Sequence, residues 1–167
     1  MPRLFVAVWP PDEVLDLIEA LPRPQVEGLR WTTRDQWHVT LRFLGECDLD
    51  DALSAFRSIA GSAADVAMGP TTGRFGRRIL HVPTEGLLSV AAATVRATAE
   101  IGHPPDQRPF AGHITLARSR RGDTDLRPFT GLPLAGHWTA AELTLVASHL
   151  GPGGARYEIV ESLPLGR

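Results

Sequence analysis

Almost the same pentapeptide occurs once in each half of the chain, and it restricts the folds that the sequence can adopt. It reads WHVTL in the first half and GHITL in the second. β-Branched residues favour strands, and side chains two residues apart on a strand point to the same face. His38 and Thr40 therefore share one strand face, as do His113 and Thr115. The pattern predicts two similar strands, each with a polar face and an apolar face.

Periodicity elsewhere in the chain predicts further strands together with helices. The predicted strands are 3–10, a short one at 29–33, 38–45, a broken one at 65–76, 77–84, 113–119, and a terminal pair at 141–150 and 156–165 joined by the hairpin turn GPGGA. The predicted helices are 12–22, 49–60 and 85–102. This order predicts an α+β fold in which residues 1–167 form a single domain of two pseudo-symmetric lobes. We expect the connection between the lobes near 61–72.

Composition restricts the class of protein. The 167 residues are 43% hydrophobic, which suits one domain with a buried core. Cys47 is the only cysteine, so a disulfide framework and a cysteine-rich metal cluster are both excluded. The sequence contains no apolar run long enough to span a bilayer and no signal peptide. We therefore expect a soluble, cytoplasmic protein.

The charge is nearly balanced but unevenly distributed. The formal net charge is −2, and all 17 basic residues are arginine. Arginines cluster in GRFGRR at 73–78 and in RSRRG at 118–122. Because an arginine fork binds phosphate in a bidentate manner, such patches favour a small anionic ligand or a nucleic-acid end over a long duplex.

Two His-Thr strands side by side would bring two imidazoles and two hydroxyls together. Displacement at phosphorus needs a base for the attacking oxygen and an acid for the leaving oxygen, and a histidine pair near neutral pH supplies both. A metal site is a weaker interpretation, since neither motif has a carboxylate or thiolate at ligand spacing. The motifs could also hold a nucleophilic threonine, or they could be purely structural strands. Chance repetition of x-Thr-Leu after two of six histidines is on the order of one in a thousand at average residue usage.

The motifs HVTLRFLGE and HITLAR resemble the 2H phosphoesterase superfamily, and more narrowly the bacterial and archaeal RNA 2′,3′-cyclic phosphodiesterases, first described as 2′-5′ RNA ligases. The segments RLFVAVWP, RWTTRDQWHVTLRFLGE, RPFAGHITLAR and LTLVASHLGPGGARYEIVESLPL extend the similarity along the chain. The resemblance implies a two-lobed α+β fold with pseudo-two-fold related antiparallel sheets facing a central cleft and helices on the outside. It also implies roles for four residues: His38 as general acid for the departing O3′, His113 as general base for water, and Thr40 and Thr115 as ligands of the non-bridging oxygens.

The resemblance further implies that Arg118 binds the phosphate and that Phe43 stacks on the terminal base. Each lies five residues after its histidine, which is the opposite face of an ideal strand. A bulge, a strong twist or the end of the strand is needed to bring either into the cleft. Parity alone directs Arg42 toward the site instead, and Tyr157, just after the GPGG turn, is a further candidate.

Two positions depart from the family pattern. Gly112 stands before the second motif histidine, where proline is usual, and we expect a looser start of that strand. Ala147 stands where an aromatic or charged residue is common. The four histidines without the x-Thr-Leu context are predicted to be structural or surface residues: His81, His103, His137 and His149.

The function expected from sequence is metal-independent and cofactor-free hydrolysis of a terminal 2′,3′-cyclic phosphate on single-stranded or tRNA-like RNA, giving a 2′-phosphate. Weak ATP-independent 2′-5′ joining is implied as well, and the protein is expected to be a monomer that does not bind membranes. The sequence leaves two different functions open. One is an RNA-end binding module with vestigial activity, and the second is a phosphodiesterase that acts on small cyclic nucleotides.

Overall fold

The computed structural model of the chain describes residues 1–166 and contains antiparallel strands and three α-helices in that range. The strands are β1 (Arg3–Val8), β2 (Leu29–Trp31), β3 (Val39–Glu46), β4 (Ala64–Met68), β5 (Gly73–Phe75), β6 (Ile79–Glu85), β7 (His113–Ser119), β8 (Gly136–Ala140), β9 (Glu142–Gly151) and β10 (Gly154–Pro164). The helices are α1 (Asp12–Glu19), α2 (Leu49–Arg57) and α3 (Leu88–Thr98). The predicted α+β class with antiparallel sheets is confirmed.

Several predicted boundaries differ from the structure. The helix predicted at 12–22 ends at Glu19, and the one predicted at 85–102 is confined to Leu88–Thr98. Strand β8 was missed, because its alternating GHWTA segment is short and follows a region rich in glycine and proline. The expected connection at 61–72 is wrong in part, since it contains β4, which pairs with both β6 and β8.

The two motif strands meet at the middle of the sheet. The strand order is β10-β9-β1-β3-β7-β6-β4-β8, with β2 added to β7 and β5 added to β6. Strands β3 and β7 are joined in antiparallel fashion by the pair Val39–Ile114. Each of these residues directly follows its motif histidine, so a local two-fold axis passes between them. Four strands of the main path lie on each side of this axis.

Two helices do not pack on the half of the sheet that contains the strand before them. Each packs on the other half. Helix α1 follows β1 but packs on β8, and α3 follows β6 but packs on β3 and α2. Their buried side chains, such as Ile18 and Val90, belong to one continuous core with the inner faces of both sheet halves. The sequence halves are thus interleaved in space, which is why no short segment separates the lobes.

No helix among residues 1–166 combines the length and apolar character needed to cross a membrane.

The start of β7 is closely packed, and not loose as the missing proline suggested. The Gly112 carbonyl accepts a 2.8 Å hydrogen bond from the Thr84 amide. A Cβ atom at position 112 would lie 2.6 Å from the Thr84 Oγ1 and 3.1 Å from the Thr84 carbonyl oxygen. Thr84 is buried, and its hydroxyl has no hydrogen-bond partner within the described chain. A side chain at position 112 would therefore force β6 and β7 apart, next to His113.

We expect Gly112→Ala to lower the free energy of unfolding by about 1–3 kcal/mol, since an inserted methyl group with no space displaces its neighbours. Gly153→Ala is the matched control, because a Cβ there has no atom within 4 Å. Chemical denaturation of both variants measures the difference. The Thr84→Ala/Gly112→Ala double variant should recover part of the loss by removing the hydroxyl. Equal stability of the two single glycine variants would contradict the packing described.

Candidate active site

A cleft of about 1430 Å³ opens over the junction of β3 and β7. It is lined by side chains from both halves of the sheet and from the hairpin formed by β9 and β10. Its lining includes seven residues singled out from the sequence: His38, Thr40, Phe43, His113, Thr115, Arg118 and Tyr157. The structure thus brings together residues that lie as much as 119 positions apart, from His38 to Tyr157.

The junction sets the relative positions of the two motifs. Val39 lies opposite Ile114, and both side chains are fully buried beneath the cleft. In an antiparallel pair this register directs each motif histidine toward the threonine of the other motif. Two imidazoles and two hydroxyls therefore face one space from two strands that run in opposite directions.

A bulge in each motif strand changes the face of the sheet to which the following side chains point. The ladder between β3 and β1 skips Leu41, and the ladder between β7 and β6 skips Leu116. These are the leucines that close the two pentapeptides. Because an extra residue returns the following positions to the other face, Phe43 and Arg118 lie on the cleft side and are exposed there. The bulge that the sequence required for these two residues is present in both strands.

The prediction that Arg42 faces the site is wrong. Its side chain is 5% exposed and lies on the other side of the sheet, at the carboxyl end of α3. Its guanidinium donates hydrogen bonds to the carbonyl oxygens of Thr98 at 3.2 Å, Ile101 at 3.1 Å and His103 at 2.7 Å. The bulge at Leu41 turns Arg42 away from the cleft, where it satisfies carbonyls left free at the helix end.

Backbone carbonyls fix the orientation of both motif imidazoles. The Nδ1 of His38 lies 2.7 Å from the Gln36 carbonyl oxygen, and the Nδ1 of His113 lies 2.7 Å from the Ala111 carbonyl oxygen. Since a carbonyl oxygen only accepts, each Nδ1 carries the hydrogen of the neutral ring. Each Nε2 then presents a lone pair. That of His38 is 2.9 Å from the Thr40 Oγ1, which donates to it.

Gln36 is a residue that sequence reasoning missed. Besides its carbonyl contact with His38, its side-chain amide donates a 2.6 Å hydrogen bond to the Ala155 carbonyl on β10. Its side-chain oxygen accepts from the Thr33 amide at 3.0 Å in a capping box. Gln36 thus connects the imidazole to the β9–β10 hairpin. Only the T-x-x-Q pattern hinted at a cap, and nothing in the sequence indicated the hairpin contact.

Three aromatic rings surround His38. The ring centroids of Phe5, Trp9 and Tyr157 lie 5.0, 5.1 and 5.1 Å from that of the imidazole. The Trp9 indole donates a 2.7 Å hydrogen bond to the Thr144 hydroxyl, which holds the ring in place. Phe5 and Trp9 were not predicted as site residues, although alternation along β1 puts both on one face. The missing information was that this face borders the motif strand.

His113 has a different aromatic neighbourhood. The edge of its ring meets Phe75 at 4.8 Å and His81 at 5.4 Å between centroids. His81 is 7% exposed and stacks on Phe75 at 4.0 Å. It lies opposite Thr115 in the ladder between β6 and β7, so its side chain belongs to the same face of the sheet. His81 was predicted to be structural or at the surface, and it is buried beside the site.

The surroundings of both motif imidazoles lower the pKa and so favour the neutral ring. Burial lowers the pKa of His38 to about 4; the Gln36 carbonyl opposes this, while the positive charges of Arg118 and His113 lower the pKa further. Burial also lowers the pKa of His113, with the Ala111 carbonyl opposing and Arg118 contributing in the same direction as burial. The ring environment and the nearby guanidinium thus favour uncharged bases until an anion binds.

Within residues 1–166, no group of three or more His, Cys, Asp or Glu side chains is arranged to hold a metal ion.

Comparison with known proteins relates this geometry to a family. The model of the LigT like phosphoesterase family matches residues 6–69. The RNA 2′,3′-cyclic phosphodiesterase of Escherichia coli K12 is 30% identical over 169 residues, covering 93% of this chain and 92% of the relative. A protein of the same name from Geobacillus stearothermophilus is 27% identical over 81% of this chain, but the chain spans only 47% of that relative's length.

Solved structures share the fold. TT0787 of Thermus thermophilus superposes with a TM-score of 0.81 at 30% identity, over 98% of this chain and 97% of that one. Escherichia coli LigT, crystallised with 3′-AMP, superposes with a TM-score of 0.79 at 26% identity, over 99% of both chains. The resemblance drawn from the two His-x-Thr motifs is confirmed, and with it the 2H phosphoesterase fold. The chain belongs to the LigT-like phosphoesterase family.

Proposed function

We propose that this protein is an RNA 2′,3′-cyclic phosphodiesterase that opens a terminal cyclic phosphate to a 2′-phosphate. The observation that carries the proposal is the histidine pair, whose Nδ1 atoms are both held by backbone carbonyls and whose rings line one cleft. Three relatives named RNA 2′,3′-cyclic phosphodiesterase support the substrate class. The structure of Escherichia coli LigT with 3′-AMP supports a nucleotide-sized ligand.

In the proposed reaction, water attacks phosphorus on the side opposite O3′. His113 takes a proton from the water at Nε2 as the new P–O bond forms. His38 gives a proton to O3′ as the P–O3′ bond breaks, so the product carries a 2′-phosphate and a free 3′-hydroxyl. The Nε2 of His113 has no hydrogen-bond partner in the described chain, which leaves it open to water. Proton exchange with solvent then restores both rings.

Phosphate binding in this proposal involves three side chains that surround the histidines. The hydroxyls of Thr40 and Thr115 donate to the non-bridging oxygens, and the Arg118 guanidinium adds positive charge. When His38 acts as an acid, its Nε2 needs a proton that the free protein lacks at pH 7. The bound phosphate supplies the negative charge that raises the pKa of His38, so that the acid form arises together with substrate binding.

Base binding is proposed at Phe43. Its ring is 39% exposed and lines the cleft. The Arg3 guanidinium lies 5.0 Å from the ring centroid, and the His103 ring meets it edge-on at 5.9 Å. An unpaired base stacks on an exposed aromatic or guanidinium plane without regard to its identity, so this platform favours a single-stranded end of any sequence. Tyr157 is proposed to shield His38 and not to act as an acid.

The wider proposal is that residues 1–167 form a single domain that acts in the cytoplasm as a monomer, without metal or cofactor.

When the 5′-hydroxyl of a second RNA strand takes the place of water, the same site joins two strands instead of hydrolysing one. The hydroxyl oxygen attacks phosphorus, His113 takes its proton and O3′ leaves as before, which joins two strands by a 2′-5′ linkage without ATP. Because water is far more concentrated, hydrolysis is the favoured outcome.

Assays distinguish this function from two competing ones. An RNA-end binding module with vestigial activity would bind a 2′-phosphate end tightly without turning over a cyclic end. A phosphodiesterase for small cyclic nucleotides would hydrolyse 2′,3′-cyclic AMP as well as an oligonucleotide with the same terminal nucleotide. Mapping the product phosphate on a cyclic-ended oligonucleotide, by mass spectrometry and by its sensitivity to a 3′-specific phosphatase, tests the assignment of O3′ as leaving group.

We expect His38→Ala and His113→Ala each to lower kcat by about 10²–10⁴-fold, since each removes one proton-transfer group. His137→Ala is the matched control, because His137 is exposed on β8 and does not line the cleft. Rates on a cyclic-ended dinucleotide in the presence and absence of EDTA measure the effect. We expect EDTA to leave the wild-type rate unchanged. Full activity in either cleft variant would refute the paired mechanism.

We expect kcat/KM to follow a bell-shaped pH profile with its maximum below 6.5, the ordinary histidine value, because burial lowers the pKa of both histidines in the free protein. The rate falls at higher pH as the acid loses its proton and at lower pH as the base gains one. The profile of kcat should lie at higher pH, since the bound phosphate raises the pKa of His38.

Tyr157→Ala provides a check on the physical cause of this profile. Removing the ring exposes His38 to water, which weakens the effect of burial and raises the pKa of His38 toward 6.5. The maximum of kcat/KM should therefore move to higher pH in this variant. A wild-type maximum at or above pH 6.5, or a maximum that Tyr157→Ala leaves in place, would contradict the proposed cause.

A further inference from the structure

The cleft carries an excess of positive charge, and its arginines form no ion pairs within the described part of the chain. Five arginines line it, and none has a carboxylate oxygen within 4.0 Å in residues 1–166: Arg3, Arg30, Arg118, Arg120 and Arg121. Outside the cleft, by contrast, the ion-paired arginines are Arg34, Arg57, Arg108 and Arg127. The acidic residues of the cleft are Glu27, Asp123 and Asp125, of which Asp125 is already paired with Arg127. Five guanidiniums without a carboxylate partner among the described residues are therefore gathered in one cleft, on a chain of net charge −2.

Two of these arginines face each other across neighbouring strands. Arg30 on β2 lies directly opposite Arg118 on β7. Like charges in such a cross-strand pair destabilise a sheet, and adjacent strands are only about 5 Å apart. An anion that both guanidiniums contact would remove this repulsion. The pairing thus points to a negatively charged ligand next to the phosphate site but one strand farther out.

The position of Arg30 fits an extended ligand. Strand β2 pairs with β7 alone and forms an edge, so Arg30 is exposed there. One N–H of its guanidinium contacts the Pro152 carbonyl at 3.4 Å, at the tip of the β9–β10 hairpin. Because a guanidinium has five donors, the others are available to a ligand that passes between β2 and the hairpin. Arg120 and Arg121 line the same wall.

Phe43 and Arg118 occupy equivalent positions on opposite sides of the local two-fold axis. A terminal nucleotide has two extensions from its ribose, the base and the 5′-phosphodiester. With the cyclic phosphate between the histidines and the base on Phe43, Arg118 and Arg30 lie on the other side of the axis from the base, and that side remains free for the 5′ extension.

We propose that Arg30 forms a second phosphate subsite, which binds the phosphodiester that precedes the terminal nucleotide, with Arg120 and Arg121 contacting phosphates farther along the strand. This inference rests on the proposed function. In this proposal, an RNA strand occupies both phosphate subsites, whereas a cyclic mononucleotide occupies only the one between the histidines. An arginine fork binds a phosphodiester in a bidentate manner, so the subsite reads backbone and not sequence.

Binding of two ligands by Arg30→Gln tests the subsite. The first is a fluorescein-labelled RNA tetranucleotide with a 2′-phosphate end, followed by fluorescence anisotropy, and the second is 2′-AMP as its competitor. We expect Arg30→Gln to weaken tetranucleotide binding about tenfold while 2′-AMP binding stays within about twofold of wild type. The slope of log Kd against log salt should fall by about 0.7, the value for one phosphate contact on a single strand.

Two further variants separate the subsite from general effects. Arg96→Gln is the matched control, since Arg96 is exposed on α3 outside the cleft, and it should change neither affinity nor salt slope. Arg30→Lys keeps the charge without the fork, so we expect intermediate affinity with a wild-type salt slope. Circular dichroism melts of Arg96→Gln and Arg30→Lys should match wild type, because both positions are exposed. Arg30→Gln should be at least as stable as wild type, because it removes the repulsion from Arg118.

The proposal is overturned if Arg30→Gln leaves tetranucleotide binding unchanged, if it weakens 2′-AMP equally, or if Arg96→Gln has the same effect. Failure of the proposed function has a different signature. The wild-type protein would then hydrolyse no cyclic end, mononucleotide or oligonucleotide, while the binding comparison would still decide whether Arg30 contacts an upstream phosphate.

Discussion

One backbone pairing at the centre of the sheet controls the arrangement of the site. Val39 and Ile114 lie opposite each other in antiparallel strands, at equivalent positions of the two motifs. Antiparallel neighbours are related by a local two-fold axis. When the same motif occurs on both strands, its equivalent residues therefore lie close together at that axis. Each motif strand also carries a bulge at its motif leucine, where it pairs with its outer neighbour, β1 or β6. A shift of register by one residue would put the two histidines on opposite faces of the sheet.

The electrostatics of the cleft follow from what surrounds each charged or titratable group. Aromatic rings bury His38, and this burial lowers the pKa of the imidazole. The five arginines that line the cleft have no carboxylate within ion-pair distance in the described chain, and the ion-paired arginines all lie outside it. The cleft thus combines two histidines of lowered pKa with several arginines that have no carboxylate partner within residues 1–166. Such a combination favours a ligand that brings its own negative charge.

The packing of two helices on opposite halves of the sheet stabilises the junction of β3 and β7, where the site lies. Helices α1 and α3 each pack on the half that does not contain the strand before them. Separation of the halves would therefore uncover both helices as well as the junction of β3 and β7. Arg42 adds to this, since it joins β3 to the carboxyl end of α3. Strand alternation predicted that Arg42 faces the site, but Arg42 instead stabilises the packing of α3 on β3, next to the cleft.

Local sequence patterns were enough to predict the class of fold, most of the strands and helices, and the polar face shared by each motif histidine and its threonine. These features depend on side-chain alternation and helical spacing, which are local properties of the chain. Tertiary structure decided which way Arg42 and Phe43 point, which rings bury His38, and that Arg30 faces Arg118. The reason is that a bulge and a cross-strand neighbour are set by the adjacent strand, which can be distant in sequence and leaves no local pattern.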